Sequence, residues 1–256
     1  MVKPCGTPGL SSWDQVSCYC ERALNPDFWA EPMNAMSNLA FLFAAAFAYA
    51  DFRNKRPARG GPVIVCLIFL LMTVGVGSFL FHTYATLWSS LADVIPIAVF
   101  VAAYMLLTLR WFLELSYPVA LFITAFVVGL TLVMFECGFI FQIEACQDIS
   151  GAFNGSMAYA PALLSLIVVG TILHIKKHPA TDLVLSATCI FLVSLVFRTI
   201  DGWPERGAHA IGCMAREMGE QTVHLGTHPF WHILNAVMLY LLLRAAIEYA
   251  PTERSR

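Results

Sequence analysis

Apolar residues fall along this chain in long blocks divided by shorter polar stretches. Seven blocks approach the roughly 20 residues that a helix needs to cross a hydrocarbon core. They run Met33–Tyr49, Pro62–Phe81, Leu87–Leu109, Val119–Phe135, Tyr159–His174, Leu183–Phe197 and Phe230–Ile247, the fifth and sixth being the shortest. The pattern predicts an all-α fold, a seven-transmembrane helix bundle. It forms one domain over residues 1–256, with an N-terminal segment 1–32, a bundle 33–248 and a tail 249–256. No internal repeat or low-complexity tract is visible. The first nine residues lack an apolar core, so no cleavable signal peptide is expected, and the first block serves as its own targeting signal.

Composition points the same way. Hydrophobic residues make up 59% of the chain and charged residues 12%, with a mean hydropathy of +0.70. Soluble domains carry roughly 25% charged residues, so this chain cannot coat a soluble globule and is expected to be integral to a membrane. Lys and Arg placement sets the orientation. Arg53, Lys55, Arg56, Arg59, Arg110, Lys176, Lys177, Arg244, Arg254 and Arg256 fall on one side, ten of the fifteen basic residues. Lys3, Arg22, Arg198, Arg206 and Arg216 are spread over the longer segments of the other. This places the N-terminus outside, in a periplasm or lumen, and the C-terminus in the cytoplasm.

Cysteines agree with that assignment. Cys66 and Cys189 lie in spans, and the other six of the eight (Cys5, Cys18, Cys20, Cys137, Cys146 and Cys213) all lie in segments assigned outside. Outside compartments are oxidising, so these read as disulfides. Spacing does not fix the pairing. Cys137–Cys146 within one loop and Cys20–Cys213 between the N-terminal segment and the last outside loop are candidates, and six unpaired thiols are the alternative. The outside segments are also the longer ones, which suggests that this end carries the chemistry.

Ionisable side chains inside a bundle cost on the order of 2.5–3.5 kcal/mol each and usually mark function. His82 closes the second block in GSFLFH, and Asp93 stands early in the third, in LADVIPI. His228 and His232, four apart on one helical face, open the seventh in THPFWHILNA. The alternating direction of successive spans puts all four in one layer of the outer half. Alone, His82 or His228 reads as a helix-end residue, and Asp93 as the partner of a histidine. Together, three imidazoles in one layer read as a zinc site with an open position for water. Asp93 could then take a proton, and Ser78, one turn deeper than His82, could bind an oxyanion or the water. A small residue for close helix packing is an equal reading of Ser78. Arg198 and Asp201 are expected to pair at the end of the sixth span, and Trp203 to anchor at the interface. His174, His178, His209 and His224 receive no role, the last two being candidates for stray metal contact.

GSFLFH, LADVIPI and THPFWHILNA resemble the three signature segments of the alkaline ceramidase family, within the seven-span hydrolase group that includes the adiponectin receptors. YCER followed by FWAEPMNAMSNLAF is similar to that family's N-terminal segment, particularly in bacterial-type members, and the likeness runs from Tyr19 to about Tyr240. The resemblance implies zinc on His82, His228 and His232, with Ser78 and Asp93 assisting a water. The substrate would be a membrane lipid, ceramide or a related N-acyl sphingoid lipid, cleaved to a fatty acid and a sphingoid base. It also implies calcium in the N-terminal segment, on Glu21, Glu31 and an asparagine, with Asn25 as the candidate. The chain departs from the pattern there, because Cys18 stands where the family has an aspartate. Asp14 or Asp27 substituting, or an exposed acidic loop without calcium, are the alternatives.

The main rival is a receptor or sensor of the adiponectin-receptor type with little turnover, which the short cytoplasmic segments disfavour. A proton-relaying transporter is disfavoured by the absence of a repeat. No nucleic-acid partner is expected, and no oligomeric state is specified.

Overall fold

The computed structural model describes residues 3–4, 9–23, 25–57, 60–136, 153–201, 210–218 and 221–249. Cys5, Cys137, Cys146, Trp203 and His209 lie outside the described residues. Among the described residues, seven segments are long and apolar enough to cross a membrane. The first combines α1 (Pro32–Ser37) and α2 (Leu39–Lys55), which meet at Asn38. The others are α3 (Gly61–Tyr84), α4 (Leu87–Trp111), α5 (Tyr117–Glu136), α6 (Ala160–Ile175, entered by a short 3-10 turn), α7 (Thr181–Ile200) and α8 (His228–Glu248). The seven spans match the apolar blocks, and the ends extend by a few residues. The last begins at His228, so both of its histidines belong to the helix.

Each helix packs on its neighbours in sequence, and α8 returns to α2, so the spans close into a ring. α8 also touches α3 and is the most buried span, α5 the least. The main core fills the middle of the ring with Phe41, Leu71, Phe100, Phe191, Leu239 and Leu243. A second cluster, including Phe112, Leu173, Val184 and Ala245, closes the end away from the N-terminal arm. Phe43, Phe47, Phe69, Phe122 and Phe126 face outward, as suits a lipid-contacting surface.

Small residues set the closest approach. A Cβ on Gly77 would stand 1.9 Å from the Ala92 carbonyl oxygen, so α3 and α4 touch backbone to backbone there. That contact is next to both Ser78 and Asp93. Close packing is therefore carried by Gly77, which frees Ser78 to face the interior.

The N-terminal arm folds back over the mouth of the ring. Its main chain bonds to the α3–α4 turn through Val16 N to Ala85 O, Leu87 N to Asp14 O and Trp88 N to Ser12 O. Cys20 is joined to Cys213, 193 residues away, as the cysteine pattern allowed. Cys18 is also disulfide-bonded, whereas Cys66 and Cys189 are free thiols exposed in spans. Two short parallel strands, β1 (Lys3–Pro4) and β2 (Val16–Ser17), lie in the arm. The last long connection carries an antiparallel hairpin of β3 (Met214–Met218) and β4 (Gln221–Leu225), with His224 in β4.

A candidate metal centre

Three buried imidazoles meet beneath the arm. His82 comes from the last turn of α3, and His228 and His232 from the first turns of α8. One ring nitrogen of each lies within 4.8 Å of the other two, and among the described residues no other set of His, Cys, Asp and Glu has this arrangement. Ring centroids are 4.5 to 5.2 Å apart.

Neighbours settle two of the tautomers. His82 Nδ1 lies 2.6 Å from Glu31 Oε2, so Nδ1–H donates to the carboxylate and Nε2 carries the lone pair. Ser37 donates its hydroxyl to Asn34 O and so accepts from His232 Nδ1 at 2.7 Å, which again leaves Nε2 as the lone-pair atom. His228 lies under the Tyr19 ring, centroids 3.8 Å apart. His82 Nε2 and His228 Nδ1 are buried without a protein partner. A polar atom rarely stays so, because the desolvation is uncompensated. Three converging imidazoles, two of them with an unpartnered nitrogen and two oriented through Nδ1, fit a bound transition metal, with imidazole suiting zinc, copper, iron or nickel.

Ser78 and Asp93 are in the same pocket. Ser78 Oγ is 3.4 Å from His232 Nε2, and the hydroxyl is near enough to interact with the Asp93 carboxylate. Asp93 Oδ1 is buried without a protein partner. A cavity of about 100 Å³ lies inside the ring, near the site, lined by Phe41, Val74, Phe100, Tyr104, Trp231 and Leu239 among others. Phe41 and Trp231 bridge the two, being close to the rings of His232 and His228 respectively.

Arg198 and Asp201 do not pair. Arg198 donates to the Tyr19 hydroxyl at 3.0 Å and sits over the rings of Tyr19, Tyr159 and Trp231. Asp201 turns the other way, accepting His228 N at 2.9 Å and Cys20 N at 3.3 Å. It thereby caps α8 and ties the arm to it. Gly226 permits this, since a Cβ there would fall 2.2 Å from Asp201 Oδ1. Burial pushes the Asp201 carboxyl up to about 7, against the opposing pull of the N–H groups of His228, Cys20 and Thr227.

The residues expected to hold calcium are engaged by protein donors. Glu21 accepts Met33 N at 2.7 Å and Asn34 N at 2.8 Å, and Asn25 Oδ1 accepts Asp27 N. Glu31 is 3% exposed, not part of an open acidic loop. It bridges Arg22, His82 and Asn34. Burial would raise its carboxyl, but His82 and Arg22 beside it hold it below the usual range. Sequence reasoning missed Tyr19, Arg22, Ser37 and the bond from Glu31 to His82. The contacts that tie them to α3, α7 and α8 lie far off in sequence.

Seven membrane-length helices around a buried, metal-capable histidine centre define a multi-pass membrane protein with its reactive groups inside the bundle. The family model described as Ceramidase matches residues 18–255, and the chain belongs to that family. Membership makes it a hydrolase of the amide bond of ceramide, a non-peptide C–N bond, and so an enzyme with a lipid substrate. Comparison with curated proteins returns no match.

Proposed function

We propose that this ceramidase is zinc-dependent, with His82, His228 and His232 as the metal ligands and Asp93 and Ser78 as the groups that handle proton and charge. Zinc in such a site lowers the pKa of a water to about 7 and polarises a carbonyl. Asp93 Oδ1 takes the proton of the attacking water and delivers it to the amide nitrogen as the C–N bond breaks. The Ser78 hydroxyl donates to the carbonyl oxygen while negative charge grows on it. Glu31 and Ser37 hold the Nδ1–H groups of His82 and His232, keeping both rings aimed inward. The apolar cavity receives an acyl chain, so the lipid stays largely in hydrocarbon while its amide reaches the polar layer. The products are a free fatty acid and a sphingoid base.

The convergence of three buried imidazoles beside an unpartnered carboxylate oxygen carries this reading. Fatty-acid release from N-acyl sphingoid lipids, measured with metal content on wild type and His232→Ala, tests it. Both should be lost together. A variant that sheds its metal yet hydrolyses at the wild-type rate would refute the assignment.

We also place the arm and the centre on the outer, periplasmic or luminal side. The Cys20–Cys213 disulfide at that end supports this, since such bonds persist in oxidising compartments. Arg53, Lys55, Lys176 and Lys177 at the other end agree.

A further inference from the structure

Arg22 is fully buried, with 0% of its surface exposed. Guanidinium carries five N–H donors in a fixed fork, and here each has an acceptor. Nε donates to Glu31 Oε1 at 2.6 Å. Nη1 reaches Asn25 O at 3.2 Å and Asp27 O at 3.0 Å. Nη2 reaches His82 O at 3.2 Å and Thr83 O at 3.3 Å. One carboxylate and four carbonyl oxygens around a positive charge are the ligand chemistry of a calcium site. The charge here belongs to the chain itself.

We propose that the Arg22 guanidinium is the permanent cation of this oxygen-lined socket, and that the N-terminal segment is assembled without calcium. The expected calcium ligands support this by being occupied. Both Glu21 oxygens accept N–H groups at the start of α1, Asn25 Oδ1 is bound to Asp27 N, and Glu31 Oε1 holds Arg22 itself. Cys18, at the position where the family pattern has an aspartate, is in a disulfide and offers no oxygen. A divalent ion would have to enter beside a buried guanidinium, with the Glu21 and Glu31 carboxylates already engaged by other donors. Two of the acceptors are the carbonyls of His82 and Thr83 in the last turn of α3, where a cation complements the helix dipole. Arg22 therefore locks the arm to the helix that carries His82, and through Glu31 acts as a positioning residue for that imidazole.

The test uses the purified, metal-loaded protein in detergent, in buffer stripped of calcium, with radioactive calcium binding and the thermal unfolding midpoint as readouts. Wild type should bind no stoichiometric calcium at about 1 mM free ion, the weak end of protein calcium sites, and its midpoint should not move. One calcium bound per chain with a rising midpoint would overturn the proposal. Arg22→Gln removes the charge and leaves Glu31 buried without its partner. That should lower the midpoint by about 10 °C and weaken metal retention at the histidines about tenfold. Arg22→Lys should recover part of both losses. An unchanged midpoint in Arg22→Gln would also overturn the proposal, and if that variant does not fold, the wild-type calcium measurement decides alone. No readout involves lipid turnover, so this proposal and the zinc mechanism can fail separately.

Discussion

Asp93 and Ser78 share a pocket with three histidines but do different work, and substitution should separate them. Asp93→Asn keeps the shape and removes the proton acceptor, so kcat should fall by about 10²–10⁴-fold with metal content unchanged. Ser78→Ala removes one hydrogen-bond donor and should cost about 10²–10³-fold in kcat. Glu31→Gln acts one bond further out. It weakens the hold on His82 Nδ1, and metal affinity should drop about 10–100-fold, read by competition with a chelator. The ligand positions were legible because imidazoles in an apolar helix are conspicuous, and the i, i+4 spacing of His228 and His232 puts them on one face. Glu31 was read from the sequence as a candidate calcium ligand, not as a partner of His82. Its bond to His82 spans 51 residues and depends on the arm folding back over α3, which no local pattern encodes.

At the scale of elements, the α3–α4 contact and the start of α8 set the site's dimensions. Gly77→Val would drive α3 and α4 apart against the Ala92 carbonyl. It should destabilise the bundle by about 1–3 kcal/mol and lower activity more than a lipid-facing substitution such as Phe122→Leu does. Asp201 caps α8, and its carboxyl titrates near 7 when folded, against an ordinary value of 3.8. A folded-state pKa raised in this way means its contribution to stability is most favourable at low pH. That contribution is lost as pH rises from about 4 to about 7. Wild type should therefore lose stability relative to Asp201→Asn across that window, measured as paired unfolding midpoints, and the difference should level off above it. The spans were readable from hydropathy alone, but the hairpin of β3 and β4 was not. Its strands are five residues each and mix polar with apolar positions, too short for period-two alternation to stand out. The separate paths of Arg198 and Asp201, three apart in sequence, likewise depend on Tyr19 and Cys20 arriving from the arm.

Over the whole molecule, a ring of helices holds the histidines from two spans at one depth, and a disulfide-tied arm covers them. Replacing Cys20 and Cys213 together by Ala should cost about 2–5 kcal/mol of stability, because the bond closes a loop of 193 residues. Reducing agent should reproduce much of that loss in wild type. The ring's closure through α2 and α8 could not be read from the sequence, which showed which residues share a layer but not which helices adjoin. The metal centre itself is open to direct observation. X-ray absorption at the zinc edge of the purified protein should show about one zinc per chain, with imidazole nitrogens at about 2.0–2.1 Å in a four-coordinate shell. A shell containing sulfur, or protein that hydrolyses ceramide with no metal bound, would contradict the three-histidine centre.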